Sequence, residues 1–204
     1  MAVWSDFHPH ALVFVPGCPD PLLEQELRGA AIEFFRRTRA WRQWLDEITT
    51  TAGVRQYPIV LPSGSEIVRI EQATADDRPI EVQIHHAQRA DPAAVQSSDY
   101  ALASDDRRTL TILRDVAAGT RLRLQAALMP SLTAAGIPDD LFAQHVDAIV
   151  AGARYRLKRM PGPLADGAGA KVALGEFESA IATGALDAWR GDTNNVPRAR
   201  PKWC

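Results

Sequence analysis

The spacing of apolar positions changes period twice along this chain. Leu23, Leu27, Ala31, Phe34, Thr38, Trp41 and Leu45 recur at intervals of three and four, the signature of one amphipathic helix. Asp20 offers an N-cap and Pro21 the first helical position. Glu24 and Glu26 fall in the early turns, while Arg36, Arg37, Arg39 and Arg42 crowd the end, an order that complements the helix dipole. From Glu47 the pattern becomes alternating. Ile48 to Thr51, Tyr57 to Leu61, Glu66 to Ala73, Ile80 to Ile84, Tyr100 to Leu102, Thr109 to Leu113 and Arg121 to Ala126 predict strands. Ala52-Gly53, Pro62-Ser63-Gly64, Asp76-Asp77-Arg78-Pro79 and Asp105-Asp106-Arg107-Arg108 predict the turns between them, and the polar stretch 86–97 a short helix.

The helical period then returns. A second helix begins at Ile137-Pro138-Asp139-Asp140 and carries Phe142, Val146, Ile149, Ala153, Leu157 and Met160 on one side. After a small-residue loop, GPLADGAGA, a third carries Leu174, Phe177, Ile181, Ala185 and Trp189. Residues 1–19, with Pro9, Pro16 and Pro19, predict an irregular segment whose apolar patch at Leu12 to Val15 packs on the body. From Gly191 the periodicity is lost. The expected fold is therefore α+β: a bundle of three main helices, an inserted antiparallel β lobe and an extended C-terminal tail. In residue terms, 1–46 holds the N-terminal segment and first helix, 47–128 the β lobe, 129–190 the second and third helices, and 191–204 the tail.

Length and composition narrow the function more than they reveal it. At 204 residues with 46% hydrophobic content the chain can bury a core as one domain with an inserted lobe. A net charge of -2 argues against a general nucleic-acid binder, so an electrostatic partner must be met by a local patch. Cys18 and Cys204 form no disulfide framework and no zinc pattern. The N-terminus carries no basic region ahead of an apolar run, and no window reaches transmembrane length. The expectation is a soluble, cytoplasmically made protein with free thiols and no membrane partner.

Candidate chemistry is thin. His8 and His10 reach a common metal only with a third ligand that the spacing does not supply, and His85-His86 point to opposite faces of a strand. His145 reads as a partly buried helix residue. The acidic pairs Asp76-Asp77, Asp105-Asp106 and Asp139-Asp140 each fall where a turn or cap is expected anyway. Gly167-Ala168-Gly169-Ala170-Lys171 lacks the spacing of a phosphate loop and reads as an inter-helix linker. Cys18 has no histidine or cation nearby in sequence to activate it, and Ser63-Gly64-Ser65 lacks a nucleophile elbow. No catalytic, metal or cofactor site is expected, so the chain does not read as an enzyme. Two surfaces remain. Arg36, Arg37, Arg39 and Arg42 could meet DNA phosphate, but contact with carboxylates of a neighbouring subunit or simple solvation of the helix end is favoured. The tail residues Arg198, Arg200, Lys202 and Trp203 combine the residue types that anchor protein interfaces, in a segment that can order on docking.

With those residues laid out, the chain resembles the head–tail adaptor (head-completion or connector) proteins of tailed bacteriophages, related in plan to the tail tubular proteins of short-tailed phages. The resemblance lies in the order of blocks: PGCPDPLLEQELRGAAIEFFRRTRAWR, then DEITTTAGVRQYPIVLPSGSEIVRI, then ALMPSLTAAGIPDDLFAQHVDAIVAGARYRLKRMPG, then a last helix and the basic end VPRARPKW. It implies a virion structural protein at the head–tail interface. Such a protein forms a homo-oligomeric ring, usually of twelve copies, on the portal protein. It joins the portal to the tail or next connector and lines the channel through which genomic DNA passes without sequence recognition. It also implies a C-terminal segment reaching the portal, here through Arg198, Arg200, Lys202 and Trp203. The alternative from a different class is a small hydrolase or carbohydrate-binding module on the β lobe, which needs a concave site with convergent polar groups. A DNA-binding regulator is disfavoured by the near-neutral charge and the lack of a recognition-helix pattern.

Overall fold

The computed structural model describes residues 1–83, 101–104, 106–112 and 117–190. In chain order, β1 (Ala2–Val3) leads into a 3-10 turn (Trp4–Phe7), α1 (His8–Ala11) and α2 (Asp20–Thr38). The strands β2 (Arg42–Trp44), β3 (Ile48–Thr49), β4 (Gln56–Pro58), β5 (Ser65–Ala75), β6 (Arg78–Gln83), β7 (Ala101–Ala103), β8 (Thr109–Ile112) and β9 (Arg121–Pro130) follow. The chain closes its described part with β10 (Gly136–Ile137), α3 (Asp139–Arg159) and α4 (Gly167–Arg190). The architecture is thus mixed α/β, with four α-helices and largely antiparallel sheets among the described residues. It forms two compact units: Met1–Ala40 with 130–190 of the described residues, and Trp41–Met129.

In the first unit α2, α3 and α4 pack against one another. Leu23, Leu27, Ala30, Ala31, Phe34 and Phe35 of α2 are buried, as are Ile149, Ala153 and Leu157 of α3 and Phe177 and Ile181 of α4. The rings of Phe34 and Phe35 meet edge to face at 5.4 Å, and His145 lies 5.0 Å from the Phe34 ring. That apolar setting makes charging costly, so burial pulls the imidazole of His145 below its ordinary pKa, with Asp140 and Asp187 opposing the shift. Arg156 ties α3 to α2, its guanidinium 2.8 Å from Glu33 and 3.7 Å from the nearly buried Glu26. The N-terminal segment is more ordered than its prolines suggest. β1 pairs antiparallel with β10, and the Trp4 indole donates to the carbonyl of Ala134 at 2.6 Å. Partners so distant in sequence leave no local trace.

Two helix boundaries differ from the pattern. α2 ends at Thr38 and does not reach Leu45: Arg39 turns left-handed (φ 55°) and its N–H returns to the Phe35 carbonyl at 2.9 Å, an αL cap. Trp41 then accepts from Leu128 N–H at 2.7 Å, and β2 pairs antiparallel with β9. Trp41 and Leu45 are four apart, which fits one helix face and, equally, one strand face. At the other end, Gly167 to Ala170 form the first turn of α4 and are no linker. Asp166 accepts from Gly169 N–H at 2.9 Å and from Lys158 Nζ at 2.9 Å, which holds its carboxyl below the usual range. A Cβ on Gly169 would collide with both partners, so the small residue is what the cap requires.

The second unit is an eight-stranded sheet in the order β2-β9-β5-β6-β7-β8-β4, with β3 also pairing to β9. Its buried side chains include Ile67, Ile70, Leu102, Leu110, Ile112, Leu122 and Leu124. The β5–β6 hairpin turns through Asp76 and Asp77, both left-handed (φ 46° and 64°), and pairs Ala75 with Arg78. That is the two-residue geometry whose twist matches the strands. One pairing breaks the expected antiparallel pattern: β6 and β7 run parallel, Val82 opposite Leu102. A parallel neighbour needs a crossover of about a dozen residues or more, and 84–100 is long enough to make one. The short helix expected at 86–97 lies outside the described residues, as does the tail 191–204.

Candidate functional site

The acidic pairs serve the backbone. Asp76 accepts from Arg121 N–H at 2.9 Å, with the Arg121 guanidinium 3.8 Å away. Asp106 accepts from the N–H groups of Arg108 at 2.8 Å and Thr109 at 2.6 Å and from the Thr109 hydroxyl at 2.9 Å. Those donors depress its pKa and fix the β7–β8 turn. Asp105 lies outside the described residues. Asp139 and Asp140 open α3, where carboxylates suit the helix dipole.

His8 and His10 sit on the short helix α1, within a segment expected to be irregular. His8 lies 3.8 Å from Asp20 and 3.6 Å from Glu24. Among the described residues no group of three or more His, Cys, Asp or Glu side chains converges as metal ligands would. Cys18 is buried and unpaired. Burial, then the charges of Asp20 and Glu26, push its thiol up, away from the nucleophilic thiolate. In the second unit, two small clefts of about 150 and 220 Å³ are lined by Leu61, Glu66, Ile67 and Asp106 to Arg108, and by Gln43 to Asp46 with Val60 to Pro62. Both fall below the roughly 300 Å³ at which small-molecule sites begin.

The four arginines do not form one cluster of equivalent groups. Arg36 and Arg37 are on the exposed side of α2, Arg39 is its cap, and Arg42 is in β2 of the second unit. Arg37 is engaged within the chain. Its guanidinium grips Glu178 of α4 through two bonds of 2.6 Å and approaches Glu33 at 3.5 Å. The pair pulls the Glu178 carboxyl below its ordinary range. Arg36 and Arg42 have no ion-pair partner among the described residues. Arg198, Arg200, Lys202 and Trp203 lie outside the described residues.

The periodic reading misplaced one aromatic. Trp189 is 66% exposed, although it continues the spacing of Phe177, Ile181 and Ala185. At 3.6 residues per turn each step of four drifts by about 40°, so three steps carry the position about 120° away from the core. The buried line steps instead from Phe177 and Ile181 to Gly184. Opposite that line runs an uncharged, exposed seam of Val172, Gly175, Ser179, Ala182, Leu186 and Trp189, at strict intervals of three and four. The signal was present in the sequence as a second apolar stripe.

A second surface lies between the loop after α1, α3 and α4. It is a groove of about 480 Å³ lined by Pro9, His10, Val13, Phe14, Val150 and Arg154, with Asp147 and Glu176 at its sides. The Arg154 guanidinium lies over the Phe14 ring at 3.7 Å and pairs with Glu176 at 2.8 Å. The family model described as SU10 adaptor protein matches residues 13–201. The chain belongs to that family and is a phage head–tail adaptor, a structural component of the virion. No curated protein matches the chain. Among the described residues, no helix is long and apolar enough to cross a membrane.

Proposed function

We propose that the protein docks as a ring on the portal, joins it to the tail or next connector protein, and lines part of the channel through which DNA passes. The observation that carries this reading is the family match across residues 13–201, which spans both units. The helical body would form the ring wall and the β lobe would extend toward the tail, with twelve copies to match a portal of the usual symmetry. Arg198, Arg200, Lys202 and Trp203 would make the portal contact, since cation and aromatic side chains anchor interfaces well. Among the candidate arginines, Arg36 and Arg42 suit a neighbour or the DNA backbone best, because Arg37 already spends its charge on Glu178. Such channel contacts need no sequence readout, only cations facing phosphate.

A map of the assembled particle tests the reading directly. The chain is expected as a ring beneath the portal, and its absence from purified virions would overturn the proposal. Deleting residues 191–204 is expected to abolish attachment to the portal while circular dichroism shows the fold intact. Unchanged attachment would remove the C-terminal anchor from the model.

A further inference from the structure

We propose that one copy of this chain seats the Leu186–Trp189 end of the α4 seam in the Val13–Phe14 groove of the next copy. The proposal rests on the ring reading and names the faces that build the ring. Four observations converge. Leu186 and Trp189 are 51% and 66% exposed on α4, and Val13 and Phe14 are 76% and 46% exposed at the groove. Each surface is therefore an apolar area left open to water within a single chain.

The shapes differ in the required way. Trp189 and Leu186 project from a continuous helix as a ridge, while the groove is concave and its floor is set. Arg154 is held there by Glu176 and stacked on Phe14, with only 12% of its side chain exposed. A tryptophan filling such a pocket is the usual anchor of a protein interface.

The charges are complementary. Arg190 stands beside Trp189 and Asp147 beside the groove, both exposed, and neither has an ion-pair partner among the described residues. An approaching Trp189 brings a cation to the carboxylate.

A chain cannot bring its own Trp189 to its own groove. Glu176, on the groove wall, and Trp189 share α4, and the helical rise between them is about 20 Å at 1.5 Å per residue. A Trp189 seated in the groove must therefore come from another molecule. Because ridge and groove are different faces, the contact is heterologous: each copy offers one face and receives the other, which propagates around a ring.

Sedimentation velocity of the full chain over a dilution series reads this directly. The weight-average mass is expected to rise with concentration, and Trp189→Ala and Asp147→Arg are each expected to weaken association by about tenfold or more. Asp147→Arg combined with Arg190→Asp is expected to restore it to within about threefold. All these positions are exposed, so circular dichroism should match that of the parent chain. Several results would overturn the proposal: a monomer at every concentration, Trp189→Ala without effect, or a double exchange no better than the single one. Association that appears only on adding portal would assign the ridge to the portal instead. Association released by removing residues 191–204 would assign it to the chain's own C-terminal segment. Each of these also overturns the proposal. Presence in virions is measured separately, so a failed ridge contact and a failed adaptor reading are distinguishable.

Discussion

Gly152 sits where three helices meet, and substituting it reads the packing of the first unit more directly than any charge change. A Cβ built at Gly152 of α3 would stand 2.8 Å from a Phe177 ring carbon on α4 and 2.9 Å from the Ala30 methyl on α2. Neither neighbour is the free end of a flexible chain, and Phe177 is 1% exposed. Two effects compete in Gly152→Ala. Helix propensity favours alanine by about 1 kcal/mol. Overpacking a dense core costs about 1–3 kcal/mol, and here one methyl must displace two neighbours. The net expectation is a loss of about 1 kcal/mol, growing to several with Gly152→Leu. Gly175→Ala supplies the control. It lies inside α4, and nothing stands within 4 Å of its built Cβ, so only the propensity gain of about 1 kcal/mol remains. The two substitutions are chemically identical and opposite in sign. Urea denaturation followed by far-ultraviolet circular dichroism, at a concentration low enough to keep the chain monomeric, measures both midpoints. If Gly152→Ala stabilises as much as Gly175→Ala, the close approach of α3 to α2 and α4 is wrong.

Two further predictions concern pH. Glu178 is held by Arg37 below its ordinary pKa, so its contribution is present above the unfolded carboxyl value near 4.5 and is lost as pH falls through the lower folded value. The pair is partly exposed, so Glu178→Gln should cost well under about 1 kcal/mol at pH 7, less in high salt, and nothing in strong acid. An equal cost at all pH values in a denaturation series would rule out the ion pair. His145 has its folded pKa below the unfolded 6.5, so stability is full above that value and falls as pH drops toward the folded one. His145→Phe should flatten that part of the curve, and an unchanged slope would mean that another group titrates there.

Much of the fold is legible because each element repeats a local period. The three long helices, the Asp76-Asp77 hairpin and the return from strand to helix near residue 137 all come from neighbours a few positions apart. What failed were the places where two periods coincide or where a distant partner decides. Trp41 and Leu45 fit helix and strand alike, and pairing with β9, some eighty residues on, selects the strand. Trp189 keeps four-residue spacing from the core while drifting off its face.

The same division holds for function. Read alone, the sequence determined the class: a helical body interrupted by strands, without a convergent catalytic set, in a block order that resembles phage adaptors, and residues 13–201 match the SU10 adaptor family. Composition and periodicity are properties of neighbours along the chain, so they survive without a structure. Only the tertiary structure decided which charges are spent and which apolar residues are left over. Arg37 is neutralised by a carboxylate 141 positions away, the loop after α1 opens a groove beside α3, and Trp189 faces solvent. Charge pairing and burial depend on through-space distance, and that is fixed only when the helices close on one another.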